Sequence, residues 1–161
     1  MTQGDQRMRF VEDMSIIFED WGMGPMVGRT WAALLVTGEP HLSAPDLQEQ
    51  IGASAGSIST ALSTLTRMGM IDRVWVPGDR RSYYTASTLA FDRLLERRAE
   101  ALTAMVGIAK SGLDAFDDVP PARERLEHMA DLYTWFDREY DVLLERWRAE
   151  RRETEERKKK T

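Results

Sequence analysis

The sequence predicts a mainly α-helical chain carrying one small β-hairpin, with short helices in its first half and long ones in its second. Three observations carry that prediction. Apolar side chains recur at spacings of three and four through most of the 161 residues. One stretch alone, residues 70–85, switches to β-branched and aromatic residues around a Pro-Gly turn. The last third repeats its apolar residues by sevens.

The elements follow in order. Met8, Val11, Met14 or Ser15, Phe18 and Trp21 mark one face of a helix over about residues 5–21, which Gly22, Gly24 and Pro25 break. A second helix runs from Pro25 to about Thr37, with proline in its first turn and Gly38 as its stop. Ser43-Ala44-Pro45-Asp46 reads as a capped helix start, because a serine oxygen accepts from the first turn and an acid favours its positive end. That helix carries Leu47 and Ile51 and stops at Gly52. Ser54 caps the next, in which Ile58, Ala61, Leu62 and Leu65 face inward until Gly69 ends it in a left-handed conformation. Two short helices hinged at Gly52 form a helix-turn-helix pattern. Residues 70–76 and 81–85 are strand candidates around the turn Pro77-Gly78-Asp79-Arg80, so a hairpin with two arginines at its tip follows the helix pair as a wing. A long helix spans roughly 88–114, and Asp117 to Pro121 break it. The last helix carries Leu126, Tyr133, Tyr140 and Trp147 in one heptad set and Met129, Phe136 and Leu143 in another, which requires a partner along its length. From Arg148 onward only mixed charge continues, as an exposed helix extension or a frayed end. The expected organisation is a winged helix-turn-helix over 23–87 and a helical dimerisation region made of 1–22 and 88–161.

Composition narrows the function. With no cysteine, disulfide scaffolds, thiol catalysis and cysteine zinc sites are excluded. The longest apolar run, Trp31 to Val36, is far short of the roughly 20 residues that span a bilayer, and no N-terminal export pattern is read, so a cytoplasmic protein away from membranes is expected. The net charge is −5. Yet residues 54–84 set Arg67, Arg73, Arg80 and Arg81 against only Asp72 and Asp79, the only net-positive one of the three segments 1–53, 54–84 and 85–161. A local cationic face docks on phosphate whatever the overall sum. His41 and His128 have no ligand at regular spacing, and Gly22, Gly24 and Gly28 miss the dinucleotide spacing and follow a helix. No metal, cofactor or enzymatic activity is therefore expected.

Residues 51–85, from Ile-Gly-Ala-Ser-Ala-Gly-Ser-Ile-Ser to Pro-Gly-Asp-Arg-Arg-Ser-Tyr-Tyr, resemble the winged-helix core of MarR-type transcriptional regulators, most closely the GbsR-like branch. Gly28-Arg29-Thr30-Trp31 resembles the Gly-Arg-x-Trp-like helix that precedes the core in that branch, and actinobacterial efflux-pump repressors are similar to it. The charged C-terminal tail departs from the pattern. The resemblance implies a homodimeric, ligand-responsive repressor that binds double-stranded DNA.

On that reading the 54–68 helix enters the major groove of a palindromic operator, and the 77–82 wing enters the adjacent minor groove. Projection at about 100° per residue turns Gly56, Ser57, Thr60, Ser63, Thr64 and Arg67 outward, with Ser54 at the cap. Short hydroxyl residues allow a close backbone approach, and Arg67 is the strong candidate for a base or a phosphate. Arg80 and Arg81 reach the minor groove. The resemblance gives Asp79 the task of orienting an arginine. A two-fold dimer would read two half-sites, and Tyr133, Phe136, Tyr140 and Trp147 are expected in its core. Phe18, Trp21, Met23, Met26, Trp31, Met105 and Met129 form a candidate pocket for a lipophilic effector, with plain core as the competing reading. The competing function is a winged-helix module for protein–protein contact, which would tolerate loss of Arg67, Arg80 and Arg81.

Overall fold

The computed structural model describes residues 2–159; residues 1, 160 and 161, the ends of the expected helical region, lie outside them. The order is α1 (Gln3–Asp20), α2 (Pro25–Leu35), β1 (Leu42–Ser43), α3 (Ala44–Ile51), α4 (Ala55–Met68), β2 (Ile71–Val74), β3 (Tyr83–Ala86), α5 (Ala90–Ala115) and α6 (Pro120–Lys159). The chain divides into two compact units, Met1–Leu94 and Leu95–Thr161.

In the first unit the helix boundaries have local causes. Thr2 and Asp5 form a capping box that starts α1, and Ser43 and Asp46 form another that starts α3. Gly52 and Gly69 close α3 and α4 at φ of 70° and 71°, the left-handed region that glycine enters without a Cβ penalty. Phe18, Trp31, Leu47, Ile58, Leu62, Leu65, Met70 and Ile71 pack into one core. α1 and α2 cross closely enough that a Cβ on Gly28 would lie 2.6 Å from the Met14 carbonyl oxygen. Glycine is therefore required there by contact rather than by backbone conformation. Beside it, Arg29 Nη2 donates to Glu12 Oε2 at 2.6 Å.

Two boundaries differ from expectation. α2 ends at Leu35 rather than Thr37, and the strands are shorter at the tip, so residues 75–82 form a longer connection than the four-residue turn. The hairpin also gains a third strand. β1 pairs antiparallel with β3, Leu42 opposite Tyr84 and Ser43 opposite Tyr83, giving the order β1-β3-β2. Arg93, on the first turn of α5, closes the unit by donating from Nη1 to the Gly69 carbonyl, Asp72 and Ser87.

The second unit is an antiparallel helical hairpin. Arg148 pairs with Glu96, the Thr103 hydroxyl donates to Asp137, and Leu126 rests against Gly112. Position numbers fall on α6 as they rise on α5, which defines the antiparallel register. The turn is fastened by Arg123, whose guanidinium pairs with Asp117 and Glu127. The expected aromatic stripe of α6 divides here. Tyr133 and Tyr140 are half-buried and Trp147 of the same set is exposed, whereas Phe136 and Leu143 of the other set stay exposed on a second face with Leu132 and Trp135. A run spaced by sevens covers more than one face once both seams are apolar, and the hairpin covers only one of them.

Candidate nucleic-acid interface

α4 presents the predicted surface. Ile58, Ala61, Leu62 and Leu65 are buried, so the opposite face of the same helix must point to solvent. Gly56, Thr60, Ser63 and Arg67 lie exposed on that face, and Ser57 and Thr64 are partly covered. Ser54 caps the helix. Its Oγ accepts from the Ser57 amide at 3.2 Å and lies 2.8 Å from the Ser57 Oγ. A Cβ on Gly56 would meet nothing within 4 Å, so the first turn of α4 offers its backbone directly.

Beside that turn runs an open cleft of about 550 Å³, lined by Met23, Gly24, Pro25, Met26 and Val27 at the start of α2 and by Ser54, Gly56, Ser57 and Thr60 of α4. Two helix N-termini therefore meet at one surface, and both present the positive end of a backbone dipole. An anionic backbone suits such a surface.

The wing is built around Asp79. Its carboxylate accepts from the Arg81 amide at 2.9 Å, from Arg81 Nε at 2.9 Å, from Arg81 Nη2 at 2.7 Å and from the Tyr83 hydroxyl at 2.8 Å. Those bonds hold the Asp79 carboxyl well below the ordinary carboxylate range, the Arg81 side chain contributing most. The same contacts raise Arg81 and Tyr83 above their ordinary values, Asp79 being the first cause for each. The Arg81 guanidinium stands 5.1 Å from the centre of the Tyr83 ring, and His41 meets that ring edge-on at 4.6 Å. Asp79 thus lies against Arg81, the arrangement that the sequence motif implied. Arg80 is exposed next to it. Sequence reasoning missed Tyr83 and His41 as supports. The doublet Tyr83-Tyr84 was visible, but which tyrosine faces Asp79 follows from strand register.

The candidate effector residues are only partly together. Trp21, Phe18 and Trp31 form a ladder of rings with centroids 5.5 Å and 5.4 Å apart, and Phe91 continues it 5.2 Å from Trp31. Trp31 is buried, and its indole nitrogen has no acceptor among the described residues. Met26 lines the α2–α4 cleft instead, and Met105 belongs to the second unit.

An antiparallel three-stranded sheet behind a capped helix pair defines a winged helix-turn-helix, a fold that many transcriptional regulators share. A family model described as MmpR5-like MarR family transcriptional regulator matches residues 90–150. The HTH-type transcriptional regulator MmpR5 of Mycobacterium tuberculosis (strain ATCC 25618 / H37Rv) is 35% identical over 141 residues, covering 87% of this chain and 86% of that one. A crystal structure of a transcriptional regulator superposes with a TM-score of 0.76 at 34% identity, covering 89% of this chain and 99% of that chain. The chain belongs to the MarR family of transcriptional regulators, in its MmpR5-like branch. The MarR-type membership that the sequence motifs implied is thereby shown. Among the described residues no helix is long and apolar enough to cross a membrane.

Proposed function

We propose that the chain is a homodimeric, cytoplasmic DNA-binding repressor that serves a transporter, efflux or stress gene and responds to a lipophilic small molecule. The observation that carries this reading is the pairing of the hydroxyl-lined, backbone-exposing face of α4 with an arginine held by Asp79 on the wing. α4 lies in the major groove, where Ser57, Thr60, Ser63 and Thr64 reach phosphates and base edges and Arg67 supplies the longest grip. The two helix N-termini at the α2–α4 cleft face phosphate. Arg80 and Arg81 enter the minor groove, where a narrow A·T-rich stretch concentrates negative potential.

The second face of α6 supports a dimer. Leu132, Trp135, Phe136, Val142 and Leu143 are exposed there, a patch of the kind that a subunit contact covers. Two copies then place two α4 helices on half-sites about one DNA turn apart. The ring ladder around Trp31 supports an effector site, because an apolar ligand with an acceptor oxygen would satisfy the unpaired indole N–H.

Fluorescence anisotropy with the duplex upstream of the chain's own gene, at two salt concentrations, tests the proposal. Salt-sensitive binding that prefers this duplex over a scrambled one is expected. Equal binding to both, or none, would favour the protein-contact module.

A further inference from the structure

Trp75 is the most exposed large apolar side chain among the described residues, at 79%. It follows β2 directly and precedes the Pro77-Gly78 turn. Arg73 stands opposite Tyr84 and Val74 opposite Tyr83 at the end of the ladder, and Trp75 is the first residue of the connection that also carries Arg80 and Arg81. At the base of that connection Arg73 Nη2 donates to Ser82 Oγ at 2.5 Å. Among the described residues the indole has no ring partner and no hydrogen bond. A strand end in solvent needs no tryptophan, and leaving 150–250 Å² of aromatic surface in water, the order of what such a ring usually buries, is unfavourable until something covers it.

The surroundings select what covers it. Arg73, Arg80 and Arg81 lie within nine positions on the same hairpin, in residues 54–84, where four arginines face two aspartates in a chain of net charge −5. A second copy meeting this surface through the same patch would bring like charges together. A phosphate-walled partner matches the arginines, and the apolar deoxyribose edges between its phosphates match the ring. We propose that Trp75 is a DNA-contacting residue that lays its indole along the sugar wall of the minor groove beside the wing arginines. The inference rests on the DNA-binding reading above.

The test uses the full chain and the labelled upstream duplex, with Trp75→Ala, Trp75→Phe and, as a reference for the parent reading, Arg80→Ala. Trp75→Ala is expected to bind about tenfold more weakly with an unchanged salt slope, because no charge is lost, while Trp75→Phe stays within about threefold of the wild type. Arg80→Ala is expected to lower the salt slope by about one. Thermal unfolding of both Trp75 variants should match the wild type, since the side chain supports nothing in the fold. Unchanged affinity in Trp75→Ala together with a weakened Arg80→Ala would overturn the Trp75 assignment and leave the DNA reading standing. A wild-type chain that does not bind the duplex would remove both. A smaller assembly mass for Trp75→Ala would place the indole in a contact between copies and overturn the assignment as well.

Discussion

The two units of this chain solve the burial problem to different degrees. In the first, short helices and a three-stranded sheet enclose Phe18, Leu47, Ile58 and Leu65 completely, and every helix end in the helix-turn-helix has a cap. In the second, the 40-residue α6 has one buried residue, Leu144, and keeps Trp135, Phe136, Val142 and Leu143 in solvent. The first unit has a core of its own. The second is a hairpin with one covered face and one that only another surface can cover. A long amphipathic helix gains little from its own chain and much from a partner, because packing rather than propensity supplies most helix stability. On the proposed dimer, stability and assembly are separated along the sequence.

That contrast is open to breakage, beginning where the effects are largest. Leu65→Ala opens a cavity in the closed core and should cost about 2–5 kcal/mol in chemical denaturation while leaving assembly mass unchanged in the folded fraction. Gly28→Ala pushes a methyl group into the Met14 carbonyl and should cost about 1–3 kcal/mol, read in the same experiment. Leu143→Glu acts on the open face instead. Sedimentation should report a shift from dimer to monomer with the first unit still folded; a dimer that persists would assign this face elsewhere.

The wing gives smaller effects. Arg81→Ala should weaken operator binding about tenfold in an anisotropy titration, in the range of roughly 1–3 kcal/mol that one specific arginine contact carries. The Asp79 pairing should also appear in carboxyl titration by NMR. Because the folded-state value is depressed, the ordering it gives is present above the ordinary carboxylate value and is lost only as pH falls through the depressed one. Asp79→Asn removes the first cause of the shift at Tyr83, so the Tyr83 hydroxyl should titrate closer to 10.0 in that variant.

Much of the first unit was legible because its signals are local. Ser43 and Asp46, Gly52, Ser54 and Gly69 each fix a backbone conformation within a few residues, and the structure places all of them as caps or stops. β1 was not legible: two residues are too few for a period, and Leu42–Ser43 becomes a strand only because Tyr83 and Tyr84 lie beside it. The pairing of Asp79 with Arg81 could be read as a motif, whereas the Tyr83 and His41 supports arise from register and from a loop approach far along the chain. On α6 the sevenfold repeat was visible but not its division, since heptads state that an apolar seam exists without naming its occupant.

Residues 75–82 form an eight-residue connection containing a glycine, the kind of segment that would otherwise sample many shapes. Three hydrogen bonds from Arg81 and one from Tyr83 onto the single side chain of Asp79 orient Arg81 in the free protein. Its conformational entropy is spent during folding, so on the proposed DNA-binding reading little ordering of the guanidinium remains to oppose the encounter.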